Sequence, residues 1–167
     1  MKRLTIALGA VTLAAVAAGC GSKSTPTQPS NTVVFTVNLL PSNEAPTPVT
    51  NAESVARGTA VITVHKDTNL IDFAVNVTGF PAGSSLIAAH IHGPNAPAGV
   101  AAGVLVGTGL TAGNAPTLTN GAATFTFNGV APPSGDTITQ ILANPSQFYF
   151  NVHTALNPGG VMRGQLQ

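Results

Sequence analysis

The chain is poor in nearly every group that carries chemistry. Its 167 residues include one cysteine, one tyrosine and no tryptophan, and only 7% are charged, against about 25% in an ordinary soluble domain. A lone cysteine excludes a disulfide framework within the chain and any paired-cysteine metal site. Basic residues are too few and too scattered to attract nucleic acid, which needs clustered Lys and Arg. The five acids, Glu44, Glu53, Asp67, Asp72 and Asp136, share no local spacing that would propose a paired-carboxylate cleft. No Gly-x-Ser-x-Gly elbow supports Ser-His-Asp catalysis. The glycine-rich Gly103–Gly109 stretch lacks the lysine of a phosphate loop. The expectation is therefore a protein that is not an enzyme.

What charge there is begins at the N-terminus. Lys2 and Arg3 precede an apolar run, Leu4–Ala18, of 15 residues. A comfortable membrane span needs about 20, so the run reads as the core of an export signal. Val16-Ala17-Ala18-Gly19 leads into Cys20, the pattern of a bacterial lipoprotein in which residues 1–19 are removed and the new N-terminal cysteine is acylated. The single cysteine is then consumed by the lipid. Removing residues 1–19 leaves four basic residues against five acidic ones, a net charge of −1. Residues 20–31, the acylated Cys20 and the Ser-, Thr- and Pro-rich segment after it, read as a flexible tether. Gly21, in place of an Asp after the cysteine, favours the outer membrane if the cell is Gram-negative, and the cell surface otherwise. The membrane, reached through the lipid, is the first expected partner.

Residues 32–167 read as one domain. Apolar residues alternate at Val33-x-Phe35-x-Val37-x-Leu39, at Ala60-x-Ile62-x-Val64, at Ile71-x-Phe73-x-Val75-x-Val77 and at Phe148-x-Phe150-x-Val152, the period of half-buried strands. Ile87, Ala89 and Ile91 give a further apolar face, and Ala123, Phe125 and Phe127 another. Eighteen glycines and thirteen prolines punctuate them with turns. This pattern predicts an all-β fold, an antiparallel β-sandwich or barrel of about seven to eight strands. Thr137–Ala143 has the pattern of one short helix, stopped by Asn144-Pro145.

Against this sparse background four histidines stand out. His90 and His92 share one face of a strand, about 6.5–7 Å apart at Cα. His153 has the same polar phase as Tyr149 and Asn151 on another strand. Were the two strands neighbours, His90, His92 and His153 would form a three-imidazole cluster with Tyr149 and Asn151 as its supporting polar face. Two readings of this cluster stand side by side. One is a copper or zinc site with an open position, the only cofactor the sequence brings to mind. The other is a polar network that holds loops. His65, between a strand and a turn, reads as a solvated edge residue. Arg163, flanked by glycines on the last strand, reads as a structural clamp on carbonyls or on a carboxylate, with Glu44 as its candidate partner.

Four segments occur in order: Asn43-Glu44-Ala45-Pro46, Ala89-His90-Ile91-His92-Gly93-Pro94, Tyr149-Phe150-Asn151-Val152-His153-Thr154 and Gly160-Val161-Met162-Arg163-Gly164-Gln165-Leu166. Together they resemble the CHRD (chordin-type) domain, here in a bacterial lipoprotein form, over about residues 33–167. The family commonly has an acid two residues before this late arginine, and Val161 stands there instead. In animals the domain belongs to extracellular proteins that bind growth factors. The resemblance thus implies an exported binding or structural module with an extracellular protein partner. The His-x-His strand and late His are also similar to those of copper/zinc superoxide dismutase. That enzyme's bridging histidine, aspartate ligand and disulfide have no counterpart here.

The lipid assignment carries its own prediction. Mass spectrometry of the mature protein should find an acylated Cys20 at its N-terminus, and Cys20→Ala should move the protein from the membrane fraction to the soluble one. An unmodified thiol on membrane-bound protein would sink it.

Overall fold

The computed structural model describes residues 31–167. The expected signal segment, the acylated Cys20 and nearly all of the tether therefore lie outside the described residues.

Eight strands and one helix follow in chain order: β1 Thr32–Leu39, β2 Arg57–His65, β3 Leu70–Thr78, β4 Leu86–His92, β5 Val104–Gly107, β6 Ala123–Val130, α1 Asp136–Ala143, β7 Tyr149–Thr154 and β8 Met162–Gln165. They form two four-stranded antiparallel sheets, ordered β1-β2-β3-β6 and β5-β4-β7-β8. The all-β sandwich predicted from the alternation is what forms. The residues 33–39, 60–64 and 71–77 that alternate in sequence send Phe35, Val37, Leu39, Ala60, Ile62, Val64, Ile71, Phe73, Val75 and Val77 into one core. Across the gap between sheets, Phe73 stacks on Phe150 with ring centres 5.7 Å apart.

The apolar face of β4 differs from the sequence reading. Leu86, Ala89 and Ile91 are buried, while Ile87 is only partly so. The register against β7 shifts between Leu86 and Ala88, and such an irregularity turns the residues before it onto the other face. In the first sheet, Phe127 likewise lies at the margin of the core rather than within it.

One side of the sandwich is nearly closed. Leu40 and Arg163 exchange backbone hydrogen bonds of 3.1 and 3.3 Å, joining the end of β1 to β8. Gly164 makes this approach possible, because a Cβ there would collide with the Asn38 carbonyl and the Val37 side chain.

The strand that positions everything polar is β7. All six of its residues are buried. Phe150 and Val152 face the core. Tyr149, Asn151 and His153 face outward, yet three loops roof them. The roof is bonded to the sheet's side chains through the carbonyls of Asn43, Ala96, Val100, Ala102 and Pro158.

Phe150 fills the centre of the core and has no exposed surface. Phe150→Ala should lower the unfolding free energy by about 3–5 kcal/mol, measured by urea denaturation. A loss under about 1 kcal/mol would mean the two sheets do not meet there.

Candidate metal centre

The pairing of β4 with β7 brings the three histidines together. His90 lies opposite Asn151, His92 opposite Tyr149, and His153 opposite Ala88. Cross-strand partners share a face, so His90, His92, Tyr149, Asn151 and His153 form one row under the roof. One nitrogen from each of His90, His92 and His153 lies within 4.8 Å of the others. The closest pair is His90 Nδ1 and His153 Nε2, at 3.1 Å. Nitrogens bound to one ion, each about 2.0–2.1 Å from it, lie roughly 3.3–3.6 Å apart, so small ring rotations close the set.

The outer nitrogens are already held. His92 Nδ1 lies 2.9 Å from the Ala102 carbonyl, and His153 Nδ1 lies 2.9 Å from the Pro158 carbonyl. A carbonyl only accepts, so each bond puts the ring's proton on Nδ1 and leaves Nε2 a bare lone pair. This is the arrangement by which proteins orient metal-binding imidazoles. His92 Nε2 is buried and has no hydrogen-bond partner. His153 Nε2 accepts from His90 Nδ1 but also faces Asn151 Oδ1 at 2.9 Å. At the other end of this amide, Asn151 Nδ2 and both Glu44 carboxyl oxygens lie around Gly160. A side chain there would meet Glu44 Oε2 at 2.7 Å and Asn151 Nδ2 at 2.8 Å, and the φ of +133° also favours glycine. The row thus holds two Nε2 lone pairs and an amide oxygen beside a single ring proton, that of His90 Nδ1. A cation resolves that conflict, and the donor set fits a transition-metal ion.

Burial keeps the rings neutral. It pushes His90 down to about 4, with the neighbouring His153 and His92 adding to the effect. Burial lowers His92 as well, against the Ala102 carbonyl and the nearby Asn151 amide and helped by the Arg163 charge. It lowers His153 against the Pro158 bond. At neutral pH no imidazolium has to be deprotonated before the rings can bind a metal.

Tyr149 and Arg163 continue the row. The Tyr149 ring is parallel to His92 within 3°, with centres 4.7 Å apart. The Arg163 guanidinium stands 4.2 Å from the centre of the Tyr149 ring. With β4 and β8 flanking β7, Tyr149 is held between the imidazole and the guanidinium. Arg163 clamps backbone carbonyls: Nε donates to Asn43 O at 2.7 Å and Nη1 to Val100 O at 3.0 Å. Its expected partner Glu44 is not within ion-pair distance, since the one such pair among the described residues is His65–Asp72. Arg163 acts on Glu44 through space, and burial prevails, raising Glu44 to about 7. Glu44 Oε1 and Arg163 Nη2 are both buried without a partner.

Two of the sequence readings change. His65 is no solvated edge residue: its Nε2 lies 2.8 Å from Asp72 Oδ2 on the adjacent strand, because the β2–β3 register sets Thr63 opposite Asp72. The row Tyr149, Asn151 and His153 is no open face, since each is at most 6% exposed. One contributor escaped the sequence altogether. Glu53 has no exposed surface. Its Oε2 accepts from Thr154 Oγ1 at 2.5 Å and Asn157 Nδ2 at 2.6 Å, tying down the loop that supplies the Pro158 carbonyl. The only signal for it is Asn51, whose side chain accepts from the Glu53 backbone N–H.

The CHRD domain family model matches residues 35–166, essentially the whole sandwich, and the chain belongs to that family. No curated protein and no solved structure matches it.

Depressed histidines and a raised glutamate pull stability in opposite directions with pH. The histidine contribution is complete above their ordinary 6.5 and is lost as pH falls, for His90 toward about 4. The Glu44 contribution is complete below its ordinary 4.5 and is lost as pH rises through about 7. In metal-free protein, NMR titration should find the His90 midpoint near 4. Glu44→Gln should increase the gain in stability between pH 5 and pH 7 relative to the native chain. A His90 midpoint near 6.5 would contradict the burial described here.

Proposed function

We propose that this CHRD protein is an envelope lipoprotein, anchored through acylated Cys20, whose domain binds a copper or zinc ion with His90, His92 and His153. The observation that carries the metal reading is the bare, buried Nε2 of His92, on a ring that has a nitrogen within 4.8 Å of nitrogens from two further rings. Leaving such an acceptor unpaired in the interior costs about 1–3 kcal/mol. A bound ion turns that cost into a ligand bond.

The function is one of binding, without catalysis. No carboxylate or thiol lies in the triad to move protons for a bound substrate. The weak net charge speaks against nucleic acid. The lipid and tether would hold the domain at the outer membrane of a Gram-negative cell or at the cell surface. There it would meet extracellular metal or, as with animal members of the family, a protein.

A second reading also has an observation behind it. His92 and His153 each hold a roof loop through a carbonyl, which a purely structural network would do as well. Metal titration of the purified protein separates the two. One equivalent of ion should bind. His90→Ala, His92→Ala and His153→Ala should each weaken binding by more than the roughly 10–100-fold that follows loss of an outer-shell partner, with the β-sheet circular dichroism retained. Absence of binding, with the variants merely less stable, would leave the structural network as the role of the cluster.

A further inference from the structure

We infer that the ion selected by the His90–His92–His153 site is copper in its cuprous state, in preference to zinc or cupric ion. The inference rests on the metal-site reading above and concerns charge and coordination number.

The donors carry no charge. Three imidazoles make up the group, with no carboxylate or thiolate among them. The nearest formal charge on the row is that of Arg163, on the Tyr149 ring that also stacks on His92. Arg163 is 1% exposed, so water screens it little, and it opposes any cation at the site. Glu44 lies near the amide end of Asn151, around Gly160. Its burial holds it partly protonated at neutral pH, which makes it a weak countercharge. The cost of taking an ion out of water rises with the square of its charge. A dication at this site therefore faces about four times the desolvation penalty of a monocation, plus twice the repulsion from Arg163.

Coordination points the same way. Zinc completes a tetrahedron of four donors, and cupric ion takes a square or tetragonal set. The triad offers three nitrogens, the Asn151 oxygen beside His153 is a hard donor better suited to other ions, and among the described residues no other His, Cys, Asp or Glu joins the group. Zinc held by three histidines would need a water as its fourth donor. Cuprous ion accepts two or three nitrogen donors without a fourth. Sulfur ligands usually select this ion by softness; here a neutral, three-donor pocket beneath a fixed positive charge selects it instead.

The test uses the full chain in detergent, titrated anaerobically with Cu(I) against a chromogenic chelator, and separately with Zn(II) and Cu(II). Cu(I) should bind one to one and at least about a hundredfold more tightly than Zn(II). Zn(II) or Cu(II) binding as tightly as Cu(I) would overturn the inference and leave the metal site standing. No binding of any of the three would remove both. Charge is probed by Arg163→Met, which should bring the Cu(I) to Zn(II) ratio down by about tenfold through tighter zinc. Should that variant not fold, Glu44→Gln probes the same term with the opposite sign, raising the ratio by weakening zinc. An unchanged ratio in a folded variant of either kind would refute the charge argument.

Discussion

A strand buried on both faces has to satisfy whatever polar groups it carries, and β7 is such a strand. Its inner residues, Phe150 and Val152, belong to the core. Its outer residues, Tyr149, Asn151 and His153, would be solvated on an ordinary two-sheet sandwich, where polar residues alternate outward. Here loops cover them, and their polar atoms depend on the loops for partners. The roof in turn depends on the sheet: carbonyls of Asn43, Ala96, Val100, Ala102 and Pro158 all end on side chains of β4, β7 and β8. Removing any one of these side chains leaves a carbonyl under the roof without its partner. The cluster of imidazoles is thus a consequence of how the second sheet is covered.

The same covering sets the electrostatics. Water is excluded from a layer that holds three imidazoles, a guanidinium and a carboxyl group, so each charged form is penalised. The histidines respond by staying neutral. Glu44 responds by holding its proton up to about 7. Arg163 cannot give up its charge, and it takes two carbonyls and an aromatic face in compensation. The layer therefore carries one permanent positive charge and a set of neutral donors.

Much of this was legible in the residues and some of it was not. Alternation at 33–39, 60–64, 71–77 and 148–152 encodes the strands and their buried faces directly, because side chains on a strand have a period of two. The shared phase of His90 and His92 follows from the same rule. Their meeting with His153 needed the β4–β7 pairing, which depends on contacts far apart in sequence. The bulge that buries Leu86 in place of Ile87 is a property of that pairing and leaves no local mark. The partners of the imidazoles were invisible for a different reason. Ala102 and Pro158 contribute only backbone carbonyls, which every residue has, so no side-chain type announces them. Glu53 reads in sequence as an unrelated loop acid and Glu44 only as a candidate partner of Arg163, because burial by a roof is not written in the spacing of the acids themselves.

The three rings are not equivalent. His92 and His153 are each 6% exposed and fixed by a carbonyl, so their Nε2 atoms have one position. His90 is only partly buried, and its one hydrogen bond runs to His153. Its neighbour on β5 is Gly107, where an added Cβ would stand 3.7 Å from the imidazole, so no side chain confines the ring on that edge. The row thus holds two rings fixed by carbonyls and one that is less confined. A metal bound here would be held by the oriented rings of His92 and His153 and by His90, whose proton would move to its other ring nitrogen if Nδ1 were the ligand. Binding would then reorganise one side chain and leave the five carbonyl bonds of the roof in place.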